Sequence, residues 1–459
     1  MNRVAILGGG PAGYVGAIRA RQLGAEVTLV EMDALGGTCL NRGCVPSKVF
    51  LRCAEAARMA RQLDQFGVEV EFKAINWPQV IRRKTQVVGQ LVKGVEYLMK
   101  QNGIKVVRGK GRLAEPHVIA VETEGKEETV TADRVVLATG SVPARLPLPG
   151  LDLPGVLTSD EMLDIDHIPQ SLAIIGGGVI GVEFADVFSA MRSKVTIIEM
   201  LPRIIPLEDE EMSAELARAF RRRKIDVFAD ARVSAVAERD GKHVVQFAQG
   251  GEEREVEAEL VLSAVGRGPA TEGLGLAEAG LEMERRTIKV NGRMETNVPG
   301  VYACGDAIGG ILLAHVASAE GKVAVANATG GEAEMDYSAV PSAIYTHPEV
   351  GSTGLTEAQA REQGLDVKVG KFHFRAAAKA VADGEREGLA KIVADGATGK
   401  VIGGHIVGPH ATDLIHEVVL ALKTGATAHT LSETIHAHPT FSEPIMEASE
   451  DVLGRAIHK

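Results

Sequence analysis

Val4-Ala-Ile-Leu7-Gly8-Gly-Gly10-Pro-Ala-Gly13 decides the fold. A short apolar run meets glycines at Gly-x-Gly-x-x-Gly spacing, a helical stretch follows to Leu23, and a second apolar run, Val27 to Val30, ends at Glu31. Strand, glycine turn, helix, strand and acid make a βαβ unit, which is a far stronger sign than the glycine spacing alone. Gly8 permits the turn, Gly10 lets the backbone approach a pyrophosphate at the helix N-terminus, and Gly13 lets helix and strand pack closely. Glu31 then stands where a ribose hydroxyl is recognised.

The same unit recurs. Leu172 to Ile175 is a strand, Gly176, Gly178 and Gly181 repeat the spacing, and Val195 to Ile198 leads to Glu199. In both copies the acid lies 23 residues after the first glycine, from 8 to 31 and from 176 to 199. Ala138-Thr139-Gly140-Ser-Val-Pro-Ala144 is echoed by Ala264-Val-Gly266-Arg-Gly-Pro-Ala270, each after an apolar strand. The repeat implies two nucleotide-binding units of common plan, and therefore two nucleotides.

Between them lies Gly36-Gly-Thr-Cys39-Leu-Asn-Arg-Gly-Cys44-Val-Pro-Ser-Lys48. The glycines favour a tight loop and Pro46 the first turn of a helix. Cys44 at that helix N-terminus should have a depressed pKa, with Cys39 on the exposed loop before it. A disulfide closing so short a loop tends to be reversible and catalytic. Lys48, four residues after Cys44, shares its helix face. Zinc would need two further ligands at short spacing, and Cys53 and Cys304 form no second pair. Two unrelated buried cysteines are the other bland reading.

The 459 residues exceed a single core, so two to four domains are expected. A formal net charge of -11 speaks against nucleic-acid or anionic-membrane partners, which need a basic surface. Four cysteines do not make a secreted disulfide framework, and Cys53 and Cys304 read as small buried residues. Met1 leads almost directly into the Val4 strand with no room for a signal peptide, so the expected location is cytoplasmic. Prolines 143, 147, 149 and 154 mark a linker into the second unit. In Thr296-Asn-Val-Pro-Gly-Val-Tyr-Ala-Cys-Gly305-Asp306 a turn and a strand lead to Asp306, placed either to meet a ligand at the strand's end or to cap the next helix.

From Ala339 onward, alternating strands such as Val367 to Phe374, Ala390 to Val393 and Val401 to Val407, then two helices, read as α+β. In Ile435-His436-Ala-His438-Pro-Thr-Phe-Ser442-Glu443-Pro444, Pro439 biases His438 away from helix, and Ser442 and Pro444 look like a helix start. Glu443 in that first turn should stay ionised and reach an imidazole. Spacing alone does not choose between His436 and His438.

Together these stretches resemble the flavin-dependent pyridine nucleotide-disulfide oxidoreductases, over essentially the whole chain. The most specific matches are Gly36 to Lys48, Ala-Cys-Gly305-Asp306, Leu-Ala314-His315 and His438-Pro-Thr-Phe-Ser-Glu443. The resemblance implies an α/β fold, with two Rossmann-like dinucleotide-binding domains for FAD and NAD and a C-terminal α+β dimerisation domain. The FAD domain would be split into 1–145 and 271–338 around an NAD domain at 146–270, with the interface domain at 339–459. Gly8, Gly10, Gly13, Glu31, Lys48, Thr139, Gly140, Asp306 and Ala314 would hold FAD. Gly176, Gly178, Gly181, Glu183, Glu199 and Gly266 would hold NAD, with Lys48 and Glu183 paired beside the flavin. The catalytic set would be Cys39, Cys44, His438 and Glu443, the resemblance preferring His438 to His436. Ala437, Phe441 and Ser47 depart from the common family residues without removing a functional group.

The activity implied is oxidation of protein-bound dihydrolipoamide by NAD in a homodimer. Its partner would be a lipoyl-bearing protein of a 2-oxoacid dehydrogenase or glycine-cleavage complex. The nearest alternative is an NADPH-dependent small-disulfide reductase, against which Glu199 argues because a carboxylate repels a 2′-phosphate, though Arg203 lies close by. The end of the chain lacks the terminal cysteine pair of mercuric reductase. A flavoprotein scaffold without turnover is the remaining reading, and it would leave Cys39, Cys44, His438 and Glu443 without purpose.

Overall fold

The computed structural model describes residues 2–123 and 125–459. The first fingerprint strand, Arg3–Leu7, is central in an all-parallel five-stranded sheet, flanked by Glu26–Glu31 on one side and Arg134–Leu137 on the other. Lys105–Arg108 and Val301–Ala303 close its edges. The second fingerprint strand, Ser171–Ile175, sits in the same way between Lys194–Ile198 and Leu260–Ser263, with Asp226–Phe228 and Val156–Thr158 outermost. Both sheets are apolar on both faces, as parallel sheets covered by helices must be. Each unit also carries a three-stranded antiparallel sheet, within 110–131 and within 231–258.

The duplication extends to single atoms. Gly8 and Gly176 have φ of +105° and +106°, and a Cβ on either would lie 2.2 or 2.4 Å from the carbonyl oxygen of Ala138 or Ala264. A Cβ on Gly13 or Gly181 would approach the carbonyl oxygen of Gly8 or Gly176 to 1.8 or 2.0 Å. Only glycine fits all four positions. The echoed segments meet each other: Ser141–Pro143 pairs antiparallel with Arg267–Pro269 where the chain passes between the sheets.

The C-terminal region is an antiparallel sheet in the order Pro341–Ile344, Glu349–Gly354, Val401–Gly408, Leu389–Asp395, Val367–His373. Three helices follow rather than the two expected, because six residues, Ala428–Glu433, coil separately between Ala411–Thr424 and Glu443–Val452. Lys391, 2% exposed, ties this sheet to the second unit through Asp209 at 3.0 Å and Glu211 at 2.9 Å.

One core holds the cysteine segment in place. Phe50 and Leu51 share it with Leu172, Val182, Phe184 and Phe188 of the second unit and with Ile344, Val350 and Val407 of the C-terminal sheet. Full burial of a side chain such as Phe50 contributes about 1.5–3 kcal/mol, more than an exposed ion pair gives. Apolar packing therefore holds the helix there, and polar contacts orient it.

Candidate active site

The segment expected as a loop before the cysteine helix is itself helical over Gly37–Arg42, because Gly36 and Gly37, with φ of +94° and +57°, turn the chain sharply enough to start it. Cys39, expected on an exposed loop, lies half-buried in that turn, and Cys44 is exposed at the start of Cys44–Ala60. Of the other two cysteines, Cys304 is buried as expected, while Cys53 is only half-buried against the core.

Cys39 and Cys44 are free cysteines, joined by no disulfide. Cys39 donates its S–H to Cys44, and that bond, before burial, pushes the Cys39 thiol up. The same bond is the largest cause holding Cys44 down at about 7; desolvation around its sulfur opposes it even though the residue as a whole is exposed, the charge of Lys48 assists and Glu183 works against it. The helix terminus is thus not the principal agent expected from the position of Cys44 in the sequence.

Lys48 Nζ lies 2.9 and 3.0 Å from the two oxygens of Glu183 and 4.3 Å from the centre of the Tyr345 ring. Glu183 is 5% exposed and also accepts from the Tyr345 N–H at 3.1 Å. The expected ion pair is therefore present. It joins the cysteine helix to Val179–Ala190, the helix opened by the second fingerprint at Gly178.

Glu31 accepts from the Gly9 N–H at 2.6 Å and the Asp33 N–H at 2.8 Å. Burial, offset in part by the Gly9 bond, raises its pKa above the ordinary carboxyl value. Glu199 accepts from the Gly177 N–H at 2.5 Å and the Leu201 N–H at 2.7 Å. A carboxylate oxygen has a second lone pair, so both acids keep acceptor capacity for a ribose hydroxyl while bracing their turns.

Thr139 Oγ1 is buried with no hydrogen-bond partner, and Gly140, at φ +73°, faces open space. Gly10 caps Pro11–Gln22 with its Cβ direction clear to 3.8 Å, and a Cβ on Gly178 would meet nothing within 4 Å. These residues fit a dinucleotide along each cradle, with unspent polar capacity where one would lie. Asp306 neither stands free nor caps the long helix. It sits in the short turn Gly305–Ile308 and accepts from the Ser141 hydroxyl, which in turn accepts from Arg267 Nε at 2.8 Å. Ala314 is the first residue of Ala314–Ala328.

His438 and Glu443 are brought together: Nδ1 lies 2.7 Å from Oε1, and Oε2 accepts from the Thr440 N–H at 2.8 Å. Burial opposes the charge of Glu443, but the Thr440 and His438 bonds outweigh it and its pKa falls below the ordinary value. The other histidine is committed elsewhere, His436 Nε2 to Glu417 at 2.9 Å and Nδ1 to the Thr434 carbonyl at 2.8 Å. The side chain of His436 is 5% exposed and that of His438 70%, so only His438 presents an available ring nitrogen.

Sequence reasoning missed Ser141, Arg267 and Asp186. The first two each directly follow an echo glycine, Gly140 or Gly266, so their matching places in the repeat are the signal that could have found them. Asp186 and Glu183 are the only acids of the otherwise apolar helix Val179–Ala190, and a charge in a buried helix needs a partner.

Comparison with known proteins bears on this geometry. The pyridine nucleotide-disulphide oxidoreductase family model matches residues 2–321, and the dimerisation domain of the same family matches residues 340–449. A dihydrolipoyl dehydrogenase of Bacillus subtilis is 44% identical over 469 residues, covering 99% of this chain and 98% of that protein. Dihydrolipoyl dehydrogenase 1, mitochondrial, of Arabidopsis thaliana is 40% identical, covering 100% of this chain and 91% of that protein. Among solved structures, LpdA from Mycobacterium tuberculosis superposes with a TM-score of 0.91 at 29% identity, covering 98% of this chain and 99% of that one. The HOCl-induced flavoprotein disulfide reductase RclA from Escherichia coli superposes with a TM-score of 0.87 at 27% identity, covering 98% of this chain and 99% of that one.

Proposed function

We propose, starting from the fact that this chain belongs to the pyridine nucleotide-disulphide oxidoreductase family, that it oxidises protein-bound dihydrolipoamide with NAD. One observation carries the reading. The Lys48–Glu183 pair ties the helix that begins at Cys44 to the helix that begins the second nucleotide cradle, so the dithiol and that cradle share one wall.

His438 acts as the base. Glu443 accepts from Nδ1–H, which fixes the tautomer with Nε2 free to take a proton from a substrate thiol. The substrate thiolate attacks Cys39 of the enzyme disulfide and Cys44 leaves as thiolate; its low pKa makes it the better leaving group. The second substrate thiol then attacks its own sulfur in the mixed disulfide and displaces Cys39. The substrate leaves as the cyclic disulfide, its two electrons stay on the enzyme cysteines, and the two protons rest on Cys39 and His438. The low pKa of Cys44 and the raised one of Cys39 support that distribution, with the proton on Cys39 and the charge on Cys44. Gly8 to Gly13, Glu31, Thr139 and Asp306 would hold FAD, which would supply the two-electron chemistry between this dithiol and NAD.

Glu199, beside Gly176, Gly178 and Gly181, supports NAD over NADP. The sheet arrangement supports an FAD domain of 1–145 and 271–338, an NAD domain of 146–270 and an interface domain of 339–459. The chain carries the family's dimerisation domain, and we take two copies to form the working unit, serving a lipoyl-bearing protein of a 2-oxoacid dehydrogenase or glycine-cleavage complex. No helix among the described residues is long and apolar enough to cross a membrane. The low cysteine count supports a reducing cytoplasm.

A steady-state panel tests the reading: NAD and NADP each with dihydrolipoamide, and NADPH with glutathione disulfide. Turnover is expected with dihydrolipoamide and NAD; comparable turnover of glutathione disulfide by NADPH would overturn it.

A further inference from the structure

Glu183 and Asp186 lie three residues apart on Val179–Ala190, 5% and 0% exposed, and each does the same two things. Glu183 takes Lys48 of the cysteine helix and the N–H of Tyr345. Asp186 takes Arg58 of the cysteine helix at 2.9 Å and the N–H of His347 at 3.2 Å. Arg223, which caps Glu210–Arg222, adds a second guanidinium to Asp186 and donates to the His347 carbonyl. Arg61, one turn beyond Arg58, donates to the Ala190 carbonyl. The first acid holds Lys48, whose charge helps to keep the Cys44 pKa low; the second has no part in the mechanism above.

We propose that Asp186 is a positioning residue, which by clamping Arg58, Arg223 and the His347 amide fixes the cysteine helix at the register where Lys48 meets Glu183 one turn from Cys44. The inference rests on the roles given above to Cys44 and Lys48. Lys48 is a point charge on a flexible stem, so its ion pair can survive a slide or a rotation of the helix beneath it. A guanidinium on a buried carboxylate cannot follow in that way. Lys48 and Arg58 are ten residues apart on the helix, about 15 Å, and two anchors at that separation define both slide and rotation.

The charges close on themselves. Burial opposes the ionisation of Asp186, but Arg58 and Arg223 more than offset it and its pKa lies below the ordinary value. His347 is pushed down to about 4, by burial first and by Arg58 next, so it is neutral at working pH; its Nε2 faces Glu385 at 3.7 Å. Asp186→Asn keeps the size of the side chain and leaves two guanidiniums, at 15% and 21% side-chain exposure, facing an uncharged amide.

The test is the rate of alkylation of Cys44 by iodoacetamide in the dithiol-reduced holoenzyme, read by mass spectrometry of the Cys44 peptide across pH. The wild type is expected to inflect near pH 7. In Asp186→Asn the inflection should rise by about one pH unit, lowering the rate at pH 7 about fivefold, and Asp186→Glu should restore much of it. An unshifted inflection in a folded Asp186→Asn protein, with only its thermal midpoint lowered, would show a purely structural residue and overturn the proposal. Should that variant not fold, Arg58→Met, in which Asp186 keeps Arg223, is read in the same way: a raised inflection supports the proposal and an unchanged one overturns it. Failure of the underlying reading looks different, since the wild type would then oxidise no dihydrolipoamide and show no inflection near neutrality.

Discussion

Glu31 and Glu199 make the same two backbone hydrogen bonds in the two halves of the chain, each accepting from the glycine N–H 22 residues earlier and from the N–H two residues later. Each carboxylate is thereby oriented before any nucleotide arrives, and each is nearly buried, at 8% and 7% exposure. A charge fixed in that way would act on a ribose 2′ position with little reorganisation, and so would discriminate as well as bind.

Glu199→Gln should therefore do two things in steady-state assays with dihydrolipoamide. Hydrogen bonds to a charged group contribute about 1.5–3 kcal/mol, so kcat/KM for NAD should fall about tenfold or more. The ratio of NADP to NAD turnover should rise, because repulsion of a 2′-phosphate is relieved. A fall in NAD use with no change in that ratio would remove Glu199 from cofactor selection.

The repeat was legible because glycine leaves a local, chemical trace: Gly8, Gly13, Gly176 and Gly181 are required by close backbone approaches that no Cβ survives. Pairs distant in sequence left a weaker trace. Arg58 with Asp186 and Ser141 with Asp306 are separated by 128 and 165 positions, and a single chain of letters carries no sign of which charge meets which. The half-buried setting of Cys39 escaped the sequence for a related reason. A helix of six residues begun by two left-handed glycines looks like a loop in sequence, and it is this turn that tucks Cys39 in. Resemblance alone prefers His438 to His436; the physical reason, the occupation of both nitrogens of His436, exists only in the folded chain.

The hydrogen bond from Cys39, more than any other cause, sets the pKa of Cys44. Cys44 is thus about half thiolate at pH 7 and more so above it. Cys39→Ala removes the donor and should move the alkylation inflection of Cys44 upward, further than Lys48→Met does. Cys39→Ser, which keeps a donor, should lie between Cys39→Ala and the wild type. A larger shift from Lys48→Met than from Cys39→Ala would make the ammonium the principal agent.

His438 and His436 should separate cleanly in kinetics. His438→Ala should lower turnover of dihydrolipoamide by about 10²- to 10⁴-fold with little change in thermal midpoint, since the ring is exposed. His436→Ala should instead lower the thermal midpoint, as Glu417 loses a buried partner, and leave turnover within a few-fold. Equal losses of turnover in the two variants would undo the assignment of the base.

The last prediction is that each active site is built from two chains. His438 stands in the matched dimerisation domain, nearly four hundred positions from Cys39, and its free nitrogen points into an exposed setting. Isologous pairing about a two-fold axis would bring that imidazole to the cysteines of the other copy and build two equal sites. Cys44→Ser and His438→Ala, each nearly inactive alone, should then complement one another: a mixed dimer holds one site with intact cysteines facing an intact histidine. Random pairing makes about half of the dimers mixed, each with one working site of two, so co-expression should restore about a quarter of wild-type activity. With both groups drawn from one chain, every site in the mixture would carry a lesion. Recovery no greater than the sum of the two variants, with mixed dimers confirmed by mass, would sink the shared site.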